Sequence, residues 1–277
     1  MRKYAKLNGN GNDFIAIDNM DMKYTSEELR DLAVKLCRRM QSIGGDGILV
    51  TEPSAICDFK MRIFNSDGSE GEMCGNGARC IARFALDNQI VEKPSMVFET
   101  HSGDVSARVD GCMALLDLSP VNLDGVSVEE SASVDGFEFK YTFLTVGVPH
   151  TVIFLKERDR SDDEFRCLGR SIRNMADIFP DGTNVNFAFP REASDELFVL
   201  TYERGVEDLT LSCGTGSTAS AIVACISGRT GKKVNVWNPG GLNSVNLDFI
   251  SEQTIFPKLE GAVMYVADIA LREDAFK

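Results

Sequence analysis

Histidine, basic charge and long apolar runs are all scarce in this sequence, and each shortage removes a class of protein. Two histidines, His101 and His150, accompany eight cysteines, and no two cysteines form a C-x-x-C pair. Zinc centres draw on Cys and His at characteristic spacings, so no metal site is expected. Lys and Arg total 29 against 42 Asp and Glu, a formal net charge of −13. Proteins that grip a phosphate backbone present a basic face, so a nucleic-acid partner is not expected. A small anion stays open as a ligand, because a few backbone N–H groups and one arginine can hold it locally. The longest small-apolar stretch, Ala219 to Ile226, is far too short to span a bilayer. After the basic Met1-Arg2-Lys3, the residues Gly9, Asn10, Gly11, Asn12 and Asp13 stand where a signal peptide would carry its apolar run. The expectation is a cytoplasmic protein with no membrane segment. A disulfide scaffold is not expected either, and Cys37, Cys57, Cys80, Cys112, Cys167 and Cys225 read as reduced, buried, small hydrophobes.

What the chain does contain is enough apolar residue for a large core, 43% hydrophobic against 26% charged over 277 residues. It also carries one short pattern twice: Cys74-Gly75-Asn76-Gly77 and Cys213-Gly214-Thr215-Gly216. Small and apolar residues follow each copy and read as a helix. A thiol at a helix start faces unpaired backbone N–H groups and the positive end of the helix dipole, which favour a thiolate. The same N–H groups can hold a carboxylate. Two such thiols on one substrate could remove a proton from one face of a carbon and return it on the other.

The surroundings of the two motifs repeat as well. Thr25-Ser26-Glu27-Glu28 and Ser161-Asp162-Asp163-Glu164 are capping boxes, lying 49 and 52 residues before Cys74 and Cys213. Short strands flank each capped helix and each Cys helix, and Asp110-Gly111 and Asp135-Gly136 read as hairpin turns. An internal duplication of this length predicts two like domains. The run from Ser217 to Ile226 is small or apolar on nearly every side, which predicts a helix buried all round. The expected fold is α+β, with two pseudo-symmetric domains, each a mostly antiparallel sheet wrapped around a central helix. Two such domains would place one Cys on each wall of a cleft. The loop Gly9 to Asp13 lacks the full G-x-G-x-x-G pattern and a P-loop lysine. It reads instead as a flexible loop that closes over a bound molecule.

The run Met61-Arg62-Ile63-Phe64-Asn65-Ser66-Asp67-Gly68-Ser69-Glu70-Gly71-Glu72-Met73-Cys74-Gly75-Asn76-Gly77-Ala78-Arg79-Cys80 resembles the signature of the diaminopimelate epimerases. So do Gly11-Asn12-Asp13-Phe14, Ile43 to Gly47, and Tyr202-Glu203-Arg204-Gly205 ahead of Cys213. The resemblance implies a cofactor-independent amino-acid epimerase, a homodimer, with an N-terminal half of residues 1–119 plus 265–277 and a C-terminal half of 120–264. It implies interconversion of LL- and meso-2,6-diaminopimelate, in lysine and cell-wall precursor biosynthesis, without pyridoxal phosphate. By it, Cys74 and Cys213 are the acid/base pair, with His150 and Glu203 helping to set their protonation. Gly75, Asn76, Gly214 and Thr215 hold the α-carboxylate, Asn12, Asn65, Asn184 and Glu203 bind substrate, and Arg204 faces the distal carboxylate. One position departs: the family's usual Gly-Asn-Pro-His is Gly147-Val148-Pro149-His150 here. That leaves open a racemase of another polar amino acid, such as histidine, or a silent amino-acid-binding protein on the same scaffold.

Overall fold

The computed structural model describes residues 4–71, 73–192 and 195–276, so Met1-Arg2-Lys3 and Glu72 of the sequence reading lie outside the described residues. The chain folds as two compact units, one running to Asp117 and taking up the chain again from Glu260, the other comprising Leu118–Leu259.

In the first unit, β1 (Tyr4–Gly9) and β2 (Asn12–Asp18) form a hairpin, and α1 (Ser26–Leu36) crosses over to β3 (Gly47–Glu52), parallel to β2. Strand β4 (Phe59–Asn65) runs antiparallel to β3 and carries the short β5 (Glu70–Gly71). Helix α2 (Gly75–Asp87) then crosses to β6 (Ser95–Thr100), parallel to β4, and β7 (Gly103–Asp110) and β8 (Met113–Asp117) continue antiparallel.

The second unit opens with β9 (Val121–Asn122) and β10 (Glu130–Val134) and then repeats that plan. Antiparallel β11 (Phe137–Val146) and β12 (Val148–Phe154) are followed by α3 (Asp162–Arg173) and by β13 (Asn184–Pro190), parallel to β12. Antiparallel β14 (Glu196–Glu203) and β15 (Asp208–Thr210) lead to α4 (Gly214–Ile226) and to β16 (Lys233–Asn238), parallel to β14. Strands β17 (Gly241–Phe249) and β18 (Thr254–Ala262) follow, and β19 (Met264–Ile269) pairs antiparallel with β1.

Both capping boxes form. Thr25 and Ser161 accept from the N–H groups of Glu28 and Glu164, and each glutamate accepts in return from its cap's backbone N–H at 2.8 Å. These helices are amphipathic and lie on one face of their sheets. Leu29, Leu32, Ala33 and Leu36 of α1 pack on Ile15, Ile17, Ile48, Val50 and Phe64. Phe165 and Ile172 of α3 pack on Phe187, Phe189, Leu200 and Tyr202. Burying one such side chain contributes about 1.5–3 kcal/mol. Strand alternation then turns the intervening residues to the opposite face, where α2 and α4 lie. A Cβ added to Gly77 of α2 would sit 3.1 Å from Leu49 Cδ2, and one on Gly216 of α4 would sit 3.0 Å from Thr201 Oγ1. As its composition predicts, α4 is buried on every side from Gly216 to Ala224.

Three sequence expectations are corrected. The Gly/Asn loop is a tight two-residue turn: Gly9 pairs with Asn12, and Asn10 and Gly11 take φ of 51° and 98°. This is the Asn-Gly hairpin geometry, and Gly9 presses against α2, where an added Cβ would lie 3.0 Å from Asn76 O. The segment is a two-residue hairpin turn and not an open loop. The second hairpin of the first unit turns at Gly111-Cys112, since Asp110 pairs with Met113. Cys112 is therefore exposed, as is Cys167 on the outer side of α3, while Cys57 and Cys225 are half-buried; Cys37 and Cys80 alone of that set are buried. Among the described residues, no helix is long and apolar enough to cross a membrane.

Candidate active site

Each unit ends a strand–turn connection in a cysteine that caps a helix. Cys74 caps α2 with φ −136° and ψ 121°, and Cys213 caps α4 with φ −116° and ψ 114°. In that extended conformation the side chain folds over the first turn of its own helix. Cys74 Sγ accepts from Gly77 N at 3.5 Å, and Cys213 Sγ accepts from Gly216 N at 3.3 Å. Both thiols thus sit where helix-start N–H groups stabilise a negative sulfur. Neither first turn contains an acidic residue to oppose that field.

In the first unit the polar residues form a chain along the α2 face. Asn76 Nδ2 donates to Asn12 Oδ1 at 2.6 Å, and Asn12 Nδ2 donates to Asp46 Oδ2 at 3.0 Å. Asp46 pairs in turn with Arg39 at 2.8 Å, and Arg39 also pairs with Asp13. Asn65 ends β4 on the same face, exposed, with Nδ2 donating to Ser69 Oγ at 2.9 Å. Strand register explains why Asn12 and Asn65 arrive together: Phe14, two residues after Asn12, pairs with Gly47, and Gly47 pairs with Asn65.

In the second unit the matching face of the sheet holds a buried polar layer. His150 has no solvent exposure, and its Nδ1 faces Asn186 Nδ2 at 3.2 Å. The amide nitrogen donates, which assigns the imidazole proton to Nε2. Asn186 Oδ1 accepts from Thr201 Oγ1 at 2.9 Å. Asn184 bridges two segments, donating to Pro149 O at 3.1 Å and accepting from Arg204 N at 2.8 Å. Arg204 is half-buried, with Nη1 on Asp181 O at 2.9 Å. Burial pushes the Glu203 carboxyl above the usual carboxylate range. The α4 N-terminus, with Gly214 and Thr215, lies against this layer, and Thr215 Oγ1 is 3.5 Å from Cys213 Sγ.

The sequence-predicted residues therefore form two groups. Asn12, Asn65, Gly75 and Asn76 gather around Cys74, and His150, Asn184, Glu203, Arg204, Gly214 and Thr215 around Cys213. Sequence reasoning missed Asp46, Arg79, Asn186 and Thr201. Asp46 and Arg79 lie within motifs already quoted, whereas Asn186 and Thr201 carry no motif of their own, and their roles come from facing a helix start across a strand pair.

Burial drives the His150 pKa down to about 3, and the nearby Arg204 guanidinium acts in the same direction. The consequence for stability is signed. Between about pH 6.5 and pH 3 the unfolded chain binds a proton at this residue and the folded chain does not. Stability should therefore fall with acidification through that window, by up to about 1.4 kcal/mol per pH unit from this group. Urea unfolding at several pH values should show a shallower acid slope for His150→Asn than for the parent chain.

Solved structures share the fold. The structure superimposes on a hydroxyproline epimerase from Agrobacterium vitis with a TM-score of 0.68, covering 97% of this chain and 91% of that one at 15% identity. At that identity the likeness is one of fold, the duplicated two-unit plan described above. Sequence shows the family. The family model described as diaminopimelate epimerase matches residues 4–114 and 142–256. A diaminopimelate epimerase from Aquifex aeolicus is 40% identical, covering 99% of each chain. One from Caldanaerobacter subterraneus is 39% identical over 87% of this chain and 90% of its own. This chain belongs to the diaminopimelate epimerase family.

Proposed function

We propose that this chain interconverts LL- and meso-2,6-diaminopimelate by two-base proton transfer at the α-carbon, in lysine and cell-wall precursor biosynthesis. The observation that carries the reading is the pair of cysteines, each capping a buried helix with its sulfur on a helix-start N–H. One thiolate takes the α-hydrogen as a proton, and the electron pair delocalises into the α-carboxylate. The opposite thiol then gives its proton to the other face of the carbon and becomes the thiolate. The backbone N–H groups at Gly75, Asn76, Gly214 and Thr215 hold the carboxylate as its charge grows. Neutral His150 and the raised Glu203 carboxyl stand on the Cys213 side to pass a proton to or from that thiol. Asn12, Asn65 and Asn184 bind the substrate's polar groups, and Arg204 takes the distal carboxylate. The working protein is a cytoplasmic homodimer of two-half subunits that needs no cofactor and no metal.

The decisive assay incubates LL-diaminopimelate with the purified chain in D2O, without added cofactor. Deuterium at the α-carbon together with appearance of the meso form supports the reading; binding without exchange makes this a silent binding protein. Light scattering of the same sample tests the dimer. Val148 supports a second reading, a racemase of another polar amino acid. Its side chain is 37% exposed at the start of β12, next to Pro149 and His150, and supplies no hydrogen bond where an amide is usual. Losing such a partner costs about 1–3 kcal/mol if nothing replaces it. A panel of L-amino acids decides between the readings. On the first, diaminopimelate turns over fastest and Arg204→Lys lowers its kcat/KM about tenfold or more, because lysine cannot make the bidentate contact.

A further inference from the structure

One buried charge beside the first thiol has no role in that mechanism. Arg79 lies on α2, five residues beyond Cys74, with no solvent exposure. Its Nη2 donates to Asn76 Oδ1 at 2.6 Å, so the guanidinium bends back towards the first turn of the helix. Among the described residues, its Nε and Nη1 meet no hydrogen-bond acceptor. Gly261 of β18 presses on the group from the other side, where an added Cβ would lie 2.9 Å from Cζ and 3.1 Å from Nε. Burial works against the charged form, yet an arginine in a protein keeps its proton. A buried cation with two unsatisfied donors needs an opposing charge nearby.

The candidates for that charge are few. Cys80 and Cys74 are the ionisable groups that act on Arg79. Cys80 is wholly buried and pushed up to about 12, so it stays a neutral thiol. Arg83, a turn further on, is cationic and engaged with Val263 O and Asp87. The strands packed on α2 bring Val105, Ala107, Ala114 and Leu116 inward and leave Asp104, Arg108 and Asp110 exposed; Asp117 ends β8 half-buried. Glu260 alternates to the opposite face of β18 from Gly261. On the hairpin side, Asp13 is paired with Lys6 and Arg39, and Asp46 with Arg39. Glu52 is paired with Arg62. Cys74 is the remaining group able to carry the charge.

We propose that Arg79 is a positioning residue that holds Cys74 as the resting thiolate, so that the unliganded protein stands with Cys74 deprotonated and Cys213 protonated. The second unit lacks the device. Five residues beyond Cys213 is Thr218, whose Oγ1 donates to Gly214 O at 2.9 Å and brings no charge. Where the first unit has Phe14 facing Gly47, the second has His150 facing Asn184, neutral and linked to Asn186. Arg204 is half-buried and bonded to Asp181 O, and Glu203 is held towards its protonated form. The duplicated fold thus carries a buried cation behind one thiol and, beside the other, a neutral imidazole and a carboxyl that burial makes easier to protonate. Cys74 takes the first proton, from the substrate form whose α-hydrogen faces it. This inference rests on reading the two thiols as base and acid, but it makes a claim about ionisation that needs no turnover to test.

The test is the pH profile of iodoacetamide alkylation, read by mass spectrometry on Cys213→Ala for Cys74 and on Cys74→Ala for Cys213. Differences in access change the absolute rates and leave the midpoints in place. Cys74 should titrate at least one pH unit below Cys213, giving about tenfold more thiolate below both midpoints. Adding Arg79→Met to Cys213→Ala should raise the Cys74 midpoint by a unit or more, and Arg79→Lys should restore most of it. Equal midpoints for the two cysteines, or a Cys74 midpoint unmoved by Arg79→Met in folded protein, overturn the proposal. If Arg79→Met does not fold, the comparison of Cys74 with Cys213 in Arg79-containing chains decides alone. A shifted midpoint in a chain that fails the deuterium assay would sink the proposed function and leave this inference standing.

Discussion

Cys74→Ala and Cys213→Ala should each bring LL-to-meso conversion to background while leaving the fold intact. Each face of the α-carbon needs its own proton carrier, so neither thiol can stand in for the other, and a positioned acid or base is worth about 10²–10⁴-fold in rate. The structure gives the expected stability cost an upper scale. The two sulfurs make long N-cap contacts, at 3.5 and 3.3 Å, and losing a cap costs roughly 0.5–2 kcal/mol. Activity should thus fall by orders of magnitude while thermal unfolding shifts by a few degrees. Cys→Ser should keep a trace, because a hydroxyl makes the same cap but is a poorer base. Coupled measurement of α-carbon deuterium and of product stereochemistry checks the prediction. Wild-type turnover by Cys74→Ala would mean that the reaction does not use two thiols.

Gly216→Ala should be far more damaging than Gly77→Ala, its counterpart in the first unit. An added Cβ would overlap Asn186 Oδ1 and sit 3.0 Å from Thr201 Oγ1 and 3.2 Å from Cys213 Cβ. Asn186 and Thr201 form the buried network that orients His150, so neither can yield without breaking a bond at 2.9–3.2 Å. Overpacking of this kind costs about 1–3 kcal/mol, and the strain falls on the helix start that presents the thiol. Gly77→Ala supplies the control at the matching position of α2. There the nearest atom is Leu49 Cδ2 at 3.1 Å, the tip of a side chain that can turn away. Differential scanning calorimetry and kcat should both show Gly216→Ala as the worse variant. Equal, mild effects would show that the Asn186–Thr201 layer is more compliant than its hydrogen bonds imply.

The duplicated plan was legible because its signals are local. A capping box declares a helix start through two reciprocal bonds within four residues, and both boxes form as read. The apolar run after Cys213 reports burial on all sides, since no face of it could meet water without cost. Other elements were less legible. The flap expected at Gly9 to Asp13 is a tight turn, because Asn10-Gly11 suits the left-handed backbone and Gly9 is needed for close approach to α2. The exposed Cys112 shows the limit of composition, as burial preference yields to the place of a residue in a hairpin.

By itself the sequence determined the fold class, the repeat, and which two cysteines begin helices, because spacing, capping residues and apolar periodicity act within a few residues along the chain. Tertiary structure alone decided the electrical difference between the halves. The pairing of β12 with β13 sets Asn184 and Asn186 beside His150 and strips that imidazole of water, while the strand after Leu259 brings Gly261 onto Arg79 and seals in a cation. Burial and cross-strand neighbours come from residues tens to hundreds of positions away, and they set the cost of holding a charge. Two thiols in the same local motif are thereby given different surroundings.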